Sequence, residues 1–137
     1  MSMVHDNVIL RYNVDFEKEI MIIGTSYYSN RVGEKVIHEL TDIVFSGCIA
    51  HIFYNEMKDS VIFDIEEVPM NNFLNKEKDM LDAKRKAGWP IYYEDKEELA
   101  GFLQNNNYKA FCIMSSVGLS GWVLAKNMEF ITDTLSV

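Results

Sequence analysis

The segment 118–122, GLSGW, comes close to the G-x-S-x-G elbow that presents a nucleophilic serine in many hydrolases. In that elbow the residue two places after the serine must be small, because strand and helix nearly collide there. Here that residue is Trp122, and the short β-prone run that follows does not favour a helix. The sequence therefore predicts a turn, with Gly118 and Gly121 at special backbone angles, and assigns no catalytic role to Ser120.

Histidines are the next candidates for chemistry, and the chain holds three of them, His5, His38 and His51. None stands in an H-x-x-x-H or H-E-x-x-H spacing, so no motif supports zinc binding. His38 and His51 flank Ser46-Gly47, which is predicted to turn a hairpin, so neighbouring strands would carry them. Acids that would complete a metal-binding or hydrolytic cluster are Asp42, Asp64 and Glu66. We keep such an enzyme as an alternative and otherwise interpret the histidines as half-buried strand residues.

Acidic residues form two groups along the chain. One lies in a β-prone run and comprises Asp64, Glu66 and Glu67; the other comprises Glu94, Asp95, Glu97 and Glu98. The second group mostly occupies a predicted helix N-terminus, where the helix dipole favours negative charge. Both groups are predicted to be solvated, and both are candidates for an acidic docking surface.

An aromatic segment, 89–93 (WPIYY), lies between the two predicted helices. Exposed Trp and Tyr side chains commonly anchor protein interfaces, so this segment is a candidate binding site. The predicted binding residues are therefore Asp64, Glu66, Glu67, Trp89, Tyr92, Tyr93 and Glu94. No residue is assigned to catalysis, to a metal or to a cofactor.

Charge and composition narrow the classes of partner. The 137 residues carry 21 acids and 13 Lys or Arg, a formal net charge of −8. Nucleic acids and anionic membrane surfaces would be repelled on average, whereas a basic protein would be attracted. The chain also lacks G-x-G-x-x-G and P-loop motifs. With no signal peptide and no long apolar run recognised, we predict a cytoplasmic protein whose Cys48 and Cys112 are reduced.

The hydrophobic pattern places these candidates on strands, then two helices, then strands again. Alternation predicts strands at 8–14, 19–28, 34–45, 48–54 and 60–68, and later at 108–115, 122–126 and 127–131. In the first strand Val8, Leu10, Tyr12 and Val14 are predicted to share one face. A helix is predicted over 69–87, ended by Gly88 and Pro90, and another from about Asp95 to 105.

This order predicts one α+β domain spanning 1–137. Its antiparallel sheet would have about 6–8 strands in a meander of hairpins, with two helices packed on one face.

Several of these strand segments resemble the hairpins of small bacterial proteins of unknown function, over about Val8 to Ala125. The similar segments are 41–47 (TDIVFSG), 50–53 (AHIF), 62–67 (IFDIEE) and 118–125 (GLSGWVLA). Some such proteins are similar to immunity proteins of bacterial toxin systems. The resemblance implies a binding role and transfers no functional residue.

Two classes of function follow, with a further alternative. The first is a non-enzymatic acidic protein-binding domain, in its specific form an immunity-type inhibitor of a basic toxin. The alternative is a metal-binding or hydrolytic enzyme that uses His38, His51 and nearby acids. The further alternative is a homodimer, paired through a sheet edge or an aromatic patch.

Overall fold

The computed structural model describes residues 3–29 and 37–136, and β-strands dominate this part of the chain. Eight strands form one antiparallel sheet in the order β4-β7-β6-β5-β1-β2-β3-β8. Their bounds are β1 (Val8–Asp15), β2 (Ile20–Ser29), β3 (Ile37–Ser46), β4 (Ala50–Tyr54), β5 (Val61–Val68), β6 (Lys109–Val117), β7 (Ser120–Ala125) and β8 (Asn127–Ser136). The predicted α+β class with an antiparallel sheet is confirmed.

The predicted shared face of β1 is interrupted by a β-bulge. The register between β1 and β2 shifts just after Ile9, so one extra residue enters β1 at that point. Ile9 is 8% exposed and lies in the core, whereas Leu10 is 48% exposed on the opposite side. Tyr12 and Val14 return to the core side. The alternation in the sequence did not reveal the bulge, because a bulge inverts the side-chain pattern without any marker residue.

The prediction of a hairpin at Ser46-Gly47 is wrong, because β3 and β4 do not pair with each other. β3 pairs with β2 and β8, whereas β4 pairs with β7. The chain instead bends at Gly47, whose φ is 62°, and β3 continues into β4. β7 continues into β8 in the same way, and main-chain hydrogen bonds join the two bent strands at the bend. They run from the Lys126 N–H to the Ser46 carbonyl at 3.0 Å and from the Ile49 N–H to the Leu124 carbonyl at 2.9 Å.

The bend closes the sheet around a core. Because the bent strands pair with β2 at one end and with β6 at the other, the sheet curls over on itself. The rings of Phe45 on β3 and Phe111 on β6 then meet with their centroids 5.5 Å apart. Six strands, β1, β2, β3, β5, β6 and β7, contribute buried side chains to this core. These side chains are Ile9, Met21, Ile23, Ile43, Phe45, Ile62, Ile65, Phe111, Ile113, Val123 and Ala125.

The predicted helix over 69–87 is divided. It forms α1 (Met70–Lys76), α2 (Lys78–Lys84) and one turn of 3-10 helix over Arg85–Ala87, before Gly88 ends it with a left-handed φ of 72°. α3 (Lys96–Asn105) begins as predicted, because the Asp95 side chain accepts the Glu98 N–H at 2.9 Å. The described residues contain no helix of the length and apolarity needed to cross a membrane.

The helices pack against one side of the sheet and make a second core there. Its strand residues come from β6 and β7 and, at its margin, from β4 and β5. The fully or nearly fully buried members are Phe73, Leu74, Leu81, Tyr93, Leu99, Leu103, Ala110, Trp122 and Leu124.

Candidate interaction surface

One outer face of the sheet has no helix against it. Within the described part of the chain, β1, β2, β3 and β8 contribute no residue to the helix-packed core. Directly paired residues of neighbouring strands share a face, so the pairing defines which side chains lie on this surface. We call this surface the open face; its residues are Leu10, Arg11, Asn13, Ile22, Gly24, Ser26, Leu40, Asp42, Val44, Glu129, Ile131 and Asp133.

The open face combines exposed apolar side chains with three carboxylates and one exposed cation, Arg11. Ile131 is 55% exposed and the bulged Leu10 is 48% exposed. The carboxylates are those of Asp42, Glu129 and Asp133, and all three residues are exposed. A contiguous exposed apolar patch rimmed by polar residues is typical of an interaction site, and Leu10 and Ile131 line one cavity on this face.

A shallow cavity of about 280 Å³ lies in the middle of the open face. Its lining includes Arg11, Asp42, Ile131 and Asp133. The Arg11 side chain lies across Gly24, where an added Cβ would be 3.5 Å from Arg11 Cγ. The guanidinium carbon of Arg11 would lie 3.6 Å from the same Cβ, so the whole Arg11 side chain lies along Gly24 at van der Waals distance.

β8 forms one edge of the open face and of the sheet. It pairs with β3 through ten consecutive residue pairs, Ile37↔Ser136 to Ser46↔Asn127, without a register shift. Natural edge strands are usually protected by shortness, bulges, proline or charged side chains, lysine above all. β8 carries two charged residues, Glu129 and Asp133. β8 has ten residues, no bulge toward β3, and neither proline nor lysine. In the part of the chain that the structure describes, its second edge pairs with no strand.

The acids predicted on β5 lie elsewhere. Glu66 pairs with Cys112, whose side chain packs against the helix-packed core, so Glu66 lies on the helix-bearing side of the sheet. Glu67 forms an ion pair with Lys109 at 3.9 Å. The Asp64 carboxylate accepts the N–H of Ile65 at 2.9 Å. These acids therefore do not belong to the open face.

The predicted aromatic segment is divided between surface and interior. Tyr92 is 71% exposed, and its hydroxyl donates to the Glu94 carboxylate at 2.6 Å. Glu94 also forms an ion pair with Arg85 at 3.8 Å. Tyr93 is only 4% exposed and donates to the Leu81 carbonyl at 3.2 Å, and Trp89 packs against the same helix core. Tyr93 therefore holds the helices together and presents no ring to a partner.

Gly118 and Leu119 turn the chain between β6 and β7, as predicted, and Ser120 begins β7. Gly118 has a φ of 85° and Gly121 a φ of 149°. Ser120 lies on the same side of β7 as Trp122, whose indole N–H donates to the Glu77 carboxylate at 3.0 Å. His51 pairs with Val123 and so lies on the opposite side of the sheet. Ser120 and His51 therefore form no nucleophile–base pair.

His51 lies among aromatic side chains on the core side of β4. Its ring centroid is 5.1 Å from that of Phe53 and 6.1 Å from that of Tyr12. Burial lowers the pKa of His51, although the nearby Glu56 carboxylate opposes this shift. The same carboxylate accepts a hydrogen bond from the Tyr12 hydroxyl and, chiefly through that bond, raises the pKa of Tyr12. Burial therefore favours the neutral imidazole.

The predicted approach of His38 to His51 does not follow from this topology. His38 lies on β3 between Tyr28 and Leu135, whereas His51 lies on β4 beside β7. The two strands form one bent strand rather than a hairpin, which separates the histidines by roughly 40 Å of strand path. The side chain of His38 lies outside the described residues. Within the described ranges no three His, Cys, Asp or Glu side chains cluster closely enough to hold a metal ion.

Both cysteines are free thiols that are partly buried. Burial raises the pKa of Cys48 to about 11, and its thiol donates weakly to the Ala50 carbonyl at 3.8 Å. Burial also raises the pKa of Cys112. Because only the thiolate is a strong nucleophile, both side chains are poorly reactive in the folded protein.

We expect iodoacetamide to alkylate Cys48 of the folded protein at pH 8 about 100-fold more slowly than in 8 M urea. The reason is that each unit of pKa lowers the thiolate fraction about tenfold at a pH below the pKa. Intact-mass spectrometry over time, with peptide mapping to separate Cys48 from Cys112, measures both rates. Equal rates for Cys48 with and without urea would contradict its burial.

Comparison of the chain with family models, with curated proteins and with solved structures finds no match.

Proposed function

We propose that the protein is a non-enzymatic binding protein and that its open face holds a basic protein partner. The observation that supports this proposal is the exposure of Leu10 and Ile131 beside Asp42, Glu129 and Asp133 on a sheet face without helices. The formal net charge of −8 also favours a basic partner, since the whole molecule attracts a cationic surface.

The two kinds of side chain have separate roles in this proposal. The carboxylates steer the partner and raise the rate of encounter, which depends on ionic strength. The exposed apolar side chains lose water on contact and slow dissociation. An immunity-type inhibitor that covers a basic toxin is the specific form of this function that agrees with the sequence resemblance.

Self-association is less favoured by the charges of β8. If two copies paired their β8 edges antiparallel around Ile131, Glu129 of each copy would lie directly opposite Asp133 of the other. Like charges directly opposite one another on neighbouring strands are destabilising. The open face therefore suits a cationic partner better than a second copy of this chain, and light scattering of the purified protein should show a monomer.

Site-specific photo-crosslinking in the native host tests the proposed surface. A photoreactive residue at Ile131 should capture a basic protein, whereas one at Phe16, which is 83% exposed in the β1–β2 turn, should not. The captured protein, once purified, should associate about tenfold more slowly at 300 mM than at 50 mM NaCl, because salt screens the steering field. Association that is indifferent to salt would overturn the proposal.

We further expect Asp42→Lys to lower the association rate with that partner about threefold or more, because it reverses a charge inside the docking surface. Glu17→Lys makes the same change of charge in the exposed β1–β2 turn and is the matched control. Stopped-flow or biolayer interferometry measures both rates. If the two variants slow association equally, only the net charge matters and the open face is not the contact surface.

A further inference from the structure

The edge of β8 offers main-chain hydrogen bonds in addition to the side chains of the open face. An edge strand that pairs on one side leaves every second residue with an N–H and a C=O directed outward. β8 has ten residues, so about five of them are arranged in this way, and the part of the chain that the structure describes places no strand beside them. An extended peptide segment can pair with these outward N–H and C=O groups as an added strand.

We propose that a cationic extended segment of the partner adds to β8 as a further strand of the sheet. This inference rests on the proposed function and identifies the part of the partner that the open face recognises. The edge is continuous with the open face because Glu129, Ile131 and Asp133 project from β8 onto that face. Main-chain hydrogen bonds supply affinity, and the alternating side chains supply selectivity.

The side chains of β8 define a sequence pattern for the added strand. Glu129, Ile131 and Asp133 recur every second residue, and opposed residues on neighbouring strands have Cβ atoms about 4.5–5.5 Å apart. A matching strand therefore carries Lys or Arg at its first position, an apolar residue at its third and Lys or Arg at its fifth. This pattern reads identically in both chain directions, so it fits parallel and antiparallel addition.

The intervening positions of the added strand meet the other side of β8. There Met128 and Phe130 pack at the margin of the main core, and Thr132 lies with its hydroxyl oxygen 3.0 Å from that of Thr41. A charged residue opposite Phe130 would lose water beside an apolar ring without a partner. The intervening residues of the added strand are therefore uncharged, with threonine or valine as the best fit to an extended backbone.

A synthetic peptide of sequence TKTVTKT, capped at both ends, is the probe for this site. Titration into the ¹⁵N-labelled protein should shift the backbone resonances of β8 and protect β8 amides from hydrogen exchange. The peptide TETVTET should bind at least tenfold more weakly, because its two glutamates face Glu129 and Asp133. Absence of any shift or protection in β8 at millimolar TKTVTKT would overturn the proposal.

N-methylated peptides separate strand addition from simple charge attraction. Methylation of the peptide nitrogens on one set of alternate residues removes the donors that face β8, whereas methylation of the other set leaves them intact. We expect the peptide methylated on the nitrogens that face β8 not to bind, and the peptide methylated on the other nitrogens to bind as before. If neither methylated peptide loses affinity, strand addition is wrong, while photo-crosslinking from Ile131 and the salt dependence still test the open face independently.

Charge exchange provides the rescue experiment. The double variant Glu129→Lys with Asp133→Lys should lose at least tenfold in affinity for TKTVTKT and gain at least as much for TETVTET. The double variant Glu94→Lys with Glu97→Lys changes the charge equally near the N-terminus of α3 and should leave both affinities within about twofold. If the β8 variant does not exchange its preference, the proposed pairing of side chains is incorrect.

Discussion

Replacing Gly121 by alanine should lower the free energy of unfolding by roughly 3 kcal/mol or more, the largest effect that we expect from a single methyl group in this protein. An added Cβ would lie 2.0 Å from the Ile52 carbonyl oxygen and 3.0 Å from the Phe53 Cα. Both are backbone atoms of β4, which cannot rotate away as a flexible side chain would. The φ of 149° at Gly121 also lies where alanine is strained.

The matched control is Gly101→Ala in α3. There an added Cβ meets nothing nearer than Asn105 Nδ2 at 4.0 Å. Alanine favours a helix over glycine by about 1 kcal/mol, so this variant should be slightly stabilised. Urea unfolding followed by circular dichroism compares both variants with the unchanged protein. If Gly121→Ala unfolds within about 1 kcal/mol of the unchanged protein, the close approach of β4 to β7 is not as described.

Replacing Phe45 by alanine should lower the free energy of unfolding by about 3–5 kcal/mol. Phe45 is fully buried, and its ring meets that of Phe111 across the curled sheet. Alanine would leave a cavity between β3 and β6, which are not neighbours in the order of strands. The loss therefore affects the closure of the sheet as well as the burial of one ring.

The control for Phe45 is Phe16→Ala, which removes the same ring from a side chain that is 83% exposed. Away from the core such a change usually alters stability by no more than about 0.5 kcal/mol. Chemical unfolding of both variants at a common pH and salt concentration measures the difference. Equal effects of the two substitutions would show that closure of the sheet does not depend on the Phe45–Phe111 contact.

The helical part of the fold was largely predictable from local signals. Gly88 and Asp95 occupy the positions where a helix ends or begins, and each acts through atoms within a few residues of itself. The bend at Gly47 was not predictable in the same way. A Ser-Gly pair indicates a change of direction, but whether the chain reverses or only bends depends on which strands are present to pair with it.

The candidate site also depends on features that are not local in the sequence. The acids that the sequence brings together on β5 and around α3 are neighbours along the chain, and the structure places them away from the open face. The acids of the open face, Asp42, Glu129 and Asp133, come from two strands far apart in sequence. Only the pairing register places them side by side, and a shift of one residue would have moved them to the other face.

The sequence alone determined the acidic charge, the antiparallel α+β class, the helix ends and the turn in GLSGW. All of these depend on composition or on interactions between residues that are close along the chain. Tertiary structure alone decided that β3 bends into β4, that Tyr93 is buried, and that β8 is the edge strand of the sheet in the described part of the chain. These features depend on contacts between distant segments, whose free energies are comparable for several registers until the whole core is packed.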